Sequence, residues 1–411
     1  MNYDTGSVKN IHYGDIHTKF PSIVSIDNNK DIPFINDDLD LSKFSEDQYL
    51  REGDLIIADA SEDYEDIGKA IEVKDINNEK VLAGLHTILA RDENDMTVNG
   101  FKAYLFSTNN LKTKIKIIAN GISVLGISKN NLSKLNVEIP SKKEQQNIVS
   151  FISDIDKKIE LLEKKHQLYL NFKNYLMQQI FAQKLRFDNS SKIQKEIQLS
   201  DVISIINKRN KNDENIPVLS ISNKFGFISQ TEQFEDREVA SSDKKNYKIV
   251  NKGEFAYNPA RINVGSIAQL KNYEKGIISP MYIVFKVDSN VLNQTYFENF
   301  LDSDYFRYEM MKRLEGSVRM ILSADSLKNI KITIPSIDEQ EKLSKVFLAF
   351  DKKIKITKYQ LDKTQEFKKG LLQQMFVVRI NWRCNFKLAK SPSFNKHLLI
   401  LKNKIIFIII E

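Results

Sequence analysis

Asn258, Arg261, Asn263 and Ser266 fall within nine residues, on one turn between two apolar runs. Amide, guanidinium and hydroxyl groups grouped in this way are the set that reads base edges or holds phosphate oxygens. The alternative is that Asn258 and Asn263 only build the turn. In the N-terminal half the equivalent turn, Asp59 to Gly68, is acidic at Asp63, Glu65 and Asp66. Those carboxylates repel phosphate, which leaves Ser61 and Lys69 as the candidates there. Lys112, Lys114 and Lys116, and Arg313 with Arg319, suit phosphate contacts or equally a solvated surface. Catalytic groupings are missing from the pattern. The histidines, His12, His17, His86, His166 and His397, show no metal-ligand spacing. Cys384 is the single cysteine, so neither a disulfide framework nor a Cys-rich metal site is possible. No G-x-x-x-x-G-K-[ST] phosphate loop occurs, and no Ser/His/Asp set can be assembled.

The elements that must position these side chains alternate between strand-rich stretches and long helices. In residues 188–333, IPVLSIS, KGEFAYN, IISPMYIVFKV and IKITIP have the β-branched and aromatic enrichment of strands. Residues 1–138 offer GDLIIAD, KAIEV, LHTILAR and LNVEIP in similar order. Gly53-Asp54-Leu55 matches Gly253-Glu254-Phe255, and Gly68-Lys69-Ala70 matches Gly265-Ser266-Ile267. Short helical stretches such as Thr295 to Leu314 make each an α/β domain.

A duplication organises the rest. Ile139–Phe181 and Ile334–Phe376 align without a gap at an offset of 195, with 15 of 43 positions identical. Each copy opens on a Ser-x-x-Glu capping box, Ser141 with Glu144 and Ser336 with Glu339. A 3.5-residue beat follows in both. In the first copy it runs through Ile148, Ile152, Ile155, Ile159, Leu162, His166, Tyr169 and Lys173. In the second it runs through Leu343, Phe347, Phe350, Ile354, Thr357, Leu361, Thr364 and Lys368. The spacing predicts two helices of about 40 residues, each roughly 60 Å long, packing by coiled-coil rules.

Composition sets the outer bounds. The 411 residues carry a net charge of +7. Residues 1–138 hold 15 Lys+Arg against 23 Asp+Glu, whereas the tail 377–411 holds 7 against 1. Bulk charge is therefore weak evidence for a nucleic-acid partner. Met1 to Asp15 is polar, so no signal peptide is expected, and the cytoplasm suits the cysteine usage. The apolar run Leu398–Ile410 is shorter than the ~20 residues that cross a bilayer.

The two segments of the form I-P-x-x-x-E-Q…D-x-K-I, each ending Q-Q-x-F, resemble the specificity subunits of Type I restriction–modification systems. The Gly253-Glu254 turn and the stretch Asn258 to Gly265 resemble their recognition domains. The resemblance spans residues ~8 to ~382. It implies two globular α/β target-recognition domains, 1–138 and 188–333, separated by two long antiparallel coiled-coil-like helices, 139–187 and 334–382, followed by a tail at 383–411. It also implies that the chain reads a bipartite, asymmetric site in double-stranded DNA without being an enzyme. Modification (methyltransferase) subunits would dock on the helices, restriction subunits would add to them, and S-adenosylmethionine, ATP and Mg would bind those partners. Asn258-Pro259 is similar to the start of the Asn-Pro-Pro-aromatic motif of amino-methyltransferases, but Ala260 and Arg261 replace its second half. No Gly-rich cofactor loop accompanies it. Methyl transfer by this chain is not expected. Two departures stand out. The second domain opens with Glu196 to Val202, which has no counterpart ahead of Val8, and the tail after Trp382 has no repeat partner. The first domain is expected to be N-terminally incomplete and the chain a truncated, frameshifted or silent product. A coiled-coil scaffold that does not bind DNA is the remaining reading.

Overall fold

The computed structural model describes residues 2–27, 29–36, 39–186, 195–230, 244–316 and 320–386, the last ten as backbone alone. Arg319 and positions 387–411 of the tail lie outside the described residues. The chain falls into two compact units, residues 1–161 with those from 360 onward, and residues 162–359. The division passes through both long helices, Lys142–Phe181 and Ile337–Phe386.

In the second unit an antiparallel sheet has the strand order Ile203–Ile206, Ile283–Val287, Phe255–Tyr257, Ile267–Gln269. The predicted helical stretch after it is two helices, Gln294–Leu301 and Asp304–Met311. Ser303 separates them because its hydroxyl caps the second, accepting from the Phe306 amide at 3.1 Å. Phe255, Phe285, Phe297 and Phe300 pack between sheet and helices, Phe255 stacking on Phe285 at 5.4 Å. Each of these fully buried rings contributes roughly 1.5–3 kcal/mol. A separate ribbon, Lys195–Gln198 against Lys331–Ile334, brings Ile197 and Leu199 into the same core.

The first unit repeats three of the four sheet strands: Thr87–Ala90, Leu55–Ala58 and Ala70–Lys74. Its fourth, Ile23–Ser25, is added on the opposite edge and runs parallel to Ala70–Lys74. LNVEIP, read from sequence as a strand, forms none. Its counterpart at Lys331–Ile334 is a strand because Lys195–Gln198 pairs with it, and no described strand takes that place in the first unit.

The conserved letters of the duplication act as fasteners. Gln145 is fully buried: its Oε1 accepts from the Val98 amide at 2.9 Å, and its Nε2 donates to the carbonyls of Met96 (3.1 Å) and Pro140 (2.9 Å). Gln340, also fully buried, does the same with Asn293 (2.9 Å), Val291 (3.1 Å) and Pro335 (3.0 Å). All four groups shift by the same 195 residues. The terminal Phe of each copy fastens in turn. Phe181 meets Tyr296 at 5.0 Å in the second unit, and Phe376 meets Phe101 at 5.8 Å in the first.

Between these ends the helices pack antiparallel within each unit. In the second, His166 lies 3.2 Å from the Thr357 hydroxyl and Lys173 pairs with Asp351 at 2.6 Å. In the first, Lys368 pairs with Asp156, and Leu372 joins Ile148 and Ile152 in one cluster. Of the seam residues, Ile148, Ile152, Ile155, Leu162, Leu343, Phe347 and Leu361 are buried, whereas Ile159, Phe350 and Ile354 are half-buried. The earliest positions are not purely a helix–helix seam. Ile148 and Ile152 pack with Phe101 and Tyr104, and Leu343 and Phe347 pack with the sheet core of the second unit.

Candidate nucleic-acid interface

Antiparallel pairing gathers several turns at one end of the second unit's sheet. Tyr257 lies opposite both Ile283 and Ile267, and Ile206 opposite Val284. The same end therefore carries the chain after Ile206, before Ile283, after Tyr257 and before Ile267. These are Lys208 and Arg209, Met281 and Tyr282, the Asn258–Arg261 turn, and Gly265 and Ser266.

The turn is held by its own backbone. Asn258 N–H donates to the Ser266 carbonyl at 3.0 Å, and the Asn258 side-chain oxygen accepts from the Ala260 amide at 3.1 Å. Gly265 closes the turn with φ = +93°, a conformation that disfavours any side chain. There it approaches a second tip, the turn of the hairpin Leu219–Ser222/Gly226–Ser229. A methyl group placed on Gly265 would lie 3.8 Å from Asn223 Cβ. Two tips thus meet, one presenting Arg261, Asn263 and Val264, the other Asn223, Lys224 and Phe225, all six exposed. Phe225 is 66% exposed and Lys224 stands 5.4 Å from its ring centroid. Behind them Lys248 donates to the Tyr282 carbonyl at 2.7 Å, and Arg209 donates to Asn246 at 3.1 Å. Burial, with Arg209 nearby, pulls the Lys248 ammonium below the ordinary lysine range.

The predicted residues divide accordingly. Arg261 and Asn263 are exposed at this end, while Asn258 is half-buried and uses its oxygen within the turn. Ser266 is 3% exposed, so its hydroxyl faces inward, away from any duplex lying on this surface. Arg313 is turned onto its own helix, donating to Glu309 at 2.6 Å. Lys208, Arg209 and the Asn223–Phe225 tip were not singled out from the sequence. The Lys-Arg-Asn-Lys run at 208–211, and Asn-Lys-Phe-Gly between two alternating runs, are the signals that mark them.

The equivalent end of the first unit has another character. Ser61 is 5% exposed, pairing through its strand with Leu125, and Lys69 donates to the His17 carbonyl at 2.7 Å. Neither is presented outward. Lys116 is bound to Glu65 at 2.5 Å and Lys114 to the Asn136 carbonyl at 2.9 Å. Exposed there are Glu62, Asp63, Tyr64 and Glu65. His12, His17 and His86, scattered in the sequence, gather around Tyr13 at ring distances of 4.5, 5.9 and 5.4 Å. His86 lies 3.3 Å from Asp59. Among the described residues no group of three or more His, Cys, Asp or Glu could hold a metal ion. No described helix is long and apolar enough to cross a membrane.

The described residues thus form two units with duplicated fasteners and a cluster of polar turns at one sheet end of the second. The family described as Type I restriction modification DNA specificity domain matches residues 4–168 and again 193–365, and the chain belongs to this family. The Type I restriction enzyme MjaVIII specificity subunit of Methanocaldococcus jannaschii is 24% identical over 301 residues, covering 67% of this chain and 70% of the relative. The putative type I restriction enzyme MjaX specificity subunit of the same organism is 22% identical over 353 residues, covering 80% and 78%. Among solved structures, the Type-I restriction-modification system S subunit from M. genitalium aligns over 80% of this chain and 84% of its own, at 16% identity and a TM-score of 0.49. As a family member whose relatives are named specificity subunits, the chain is non-catalytic.

Proposed function

We propose that this chain reads one bipartite, asymmetric DNA site on behalf of a Type I restriction–modification complex, with the sheet end of the second unit as its stronger reader. The observation that carries the proposal is the meeting of Arg261 and Asn263 with Asn223, Lys224 and Phe225, flanked by Lys208 and Arg209. Guanidinium and amide groups supply base-edge contacts in the major groove, and the flanking cations supply phosphate contacts. A long helix of 40 residues spans roughly 60 Å, between one and two turns of B-DNA, a length suited to spacing two half-sites. Modification subunits dock on the long helices and restriction subunits join them. Leu168, Phe172 and Tyr175 expose 66%, 48% and 58% of their surface along one helix face and support that reading. S-adenosylmethionine, ATP and Mg belong to the partner subunits.

The acidic, internally paired sheet end of the first unit favours a second reading, in which the chain docks its partners but reads only one half-site. Co-expression with the cognate modification subunit, followed by methylome sequencing, tests both. A two-part methylated motif supports the first reading. A motif confined to one half supports the second, and stable docking without methylation contradicts both. Within the motif, Arg261→Ala is expected to relax one half alone, by about 1–3 kcal/mol if the contact is bidentate. Equal loss at both halves would remove Arg261 from this role.

A further inference from the structure

We propose that the first unit reads thymine through its C5-methyl group, with Ile122 and Val124 on a projecting hairpin as the contacting side chains. The inference rests on the bipartite reading above and names the contacts by which the acidic unit takes part in it. The hairpin is a further product of the duplication. Asn120 N–H donates to the Gly126 carbonyl at 3.0 Å, and Gly126 N–H donates back to that of Asn120 at 2.7 Å. Glu315 and Ile321, each 195 residues on, exchange the same two bonds at 2.9 and 2.8 Å. Each hairpin is mounted on the turn that leaves an inner strand of its sheet, Leu55–Ala58 or Phe255–Tyr257. Ile127 N–H donates to the Asp59 carbonyl at 2.8 Å, and Leu322 N–H to that of Pro259 at 3.1 Å. The first-unit hairpin therefore stands at the sheet end equivalent to the one that presents Arg261. Ala60–Ser61 pairs antiparallel with Leu125–Gly126, which sets residues 122–124 beside the acidic turn.

What the two copies carry at this hairpin differs. Ile122, Ser123 and Val124 stand where the second copy has Ser317, Val318 and Arg319, three positions outside the described residues. Ile122 is fully exposed and Val124 is 57% exposed, so the core does not require an apolar side chain at either. Turns ordinarily favour Gly, Asn, Asp or Ser at such places. Gly121 fixes the presentation, with φ = +136° and the Val124 carbonyl where a side-chain methyl would lie. The neighbouring carboxylates are occupied within the unit. Asp63 accepts from the Glu65 and Asp66 amides at 2.8 Å each, and Glu65 holds Lys116 at 2.5 Å. Of the groups that unmodified DNA offers in its grooves, the thymine methyl is the apolar one, and it lies in the major groove. A narrow apolar tip at a reading end therefore selects T·A pairs by that methyl. A stable protein partner covers roughly 800 Å² on each side, far more than a hairpin tip offers.

The test uses the chain assembled with its cognate modification subunits and a duplex carrying its methylated motif, with deoxyuridine replacing thymine in each half in turn. Deoxyuridine removes the methyl group alone. In one half it is expected to weaken binding about fourfold for each methyl contacted. Ile122→Ser with Val124→Ser is expected to lose the same factor on thymine DNA, and to bind the deoxyuridine duplex no more weakly than that. Arg261→Ala is expected to leave the deoxyuridine response of this half intact. The melting temperature of the serine variant is expected to be unchanged, because both side chains already stand in solvent. A two-part motif in which neither half responds to deoxyuridine, or additive losses from the variant and deoxyuridine, would overturn the inference and leave the bipartite reading standing. Failure to bind any two-part motif would instead remove that reading, and the inference with it. Weaker docking of the modification subunits by the serine variant, at unchanged thymine preference, would overturn the inference by giving the tip to a protein partner.

Discussion

The two units are most alike where they are fastened and least alike where they face outward. Gly53 N–H donates to the Val73 carbonyl at 2.9 Å as Gly253 N–H donates to that of Leu270 at 2.8 Å. Gln145 and Gln340 hold equivalent triads, and Phe376 and Phe181 fill equivalent aromatic sites. At the sheet end the correspondence breaks. Ser266 stands where Lys69 does, Asn258 where Ala58 does, and the turn beyond is acidic in one unit and bears Arg261 and Asn263 in the other. Duplication preserved the mounting and left the presented residues free to diverge. That is the division expected under the proposal that the two halves read unlike sequences.

The largest effect that would break this comparison lies at the fasteners. Gln340→Ala removes three hydrogen bonds and leaves backbone groups of Val291, Asn293 and the buried Pro335 without that partner, at a cost of about 3 kcal/mol. Gln145→Ala is expected to cost about the same, as read by urea unfolding of the full chain. A large loss in one variant and none in the other would show that the fasteners are not equivalent.

A smaller effect separates the units by pH. Glu72 lies opposite Leu55 as Gln269 lies opposite Phe255, so an ionisable group occupies this place in one unit alone. Burial pushes the Glu72 carboxyl above its ordinary value of 4.5, against the opposing pull of Lys102 and of the Gly100 and Ala103 amides. The folded state thus holds this proton more tightly than the unfolded chain. Its stabilising contribution is full below the unfolded value and is lost as pH rises through the raised one. Amide exchange at Gly100 and Ala103 is expected to quicken across that window, and Glu72→Gln to flatten the dependence. An unchanged profile in the variant would assign the window to another group.

Much of this organisation was legible from residue spacing. The Ser-x-x-Glu signatures placed both helix starts, and the 3.5-residue beat marked positions that are buried or half-buried. Sequence could not show that Ile148 and Leu343 serve a globular core as well as the helix pair, because periodicity reports which face is covered and not by what. The LNVEIP strand failed for a related reason. Strand propensity in Val137 and Ile139 is expressed only beside a partner, and among the described residues no strand pairs with them. Among candidate contacts, Arg261 and Asn263 were visible as a polar cluster on a turn. Ser266, Ser61 and Lys69 have the right side-chain types, but tertiary packing turns them inward. The Asn223–Phe225 tip is not legible in the spacing because the approach of Asn223 to Gly265 is a tertiary contact between two separate hairpins.

The claim that the second unit's sheet end is the stronger DNA reader is tested most directly by salt dependence. The chain, assembled with its cognate modification subunits, is titrated with duplex DNA over a range of salt concentrations. Lys208→Ala with Arg209→Ala is expected to flatten the slope of log affinity against log salt by about two, while Lys69→Ala with Lys116→Ala leaves it unchanged. Equal slopes for the two pairs, or a flattening by the first-unit pair alone, would contradict the assignment.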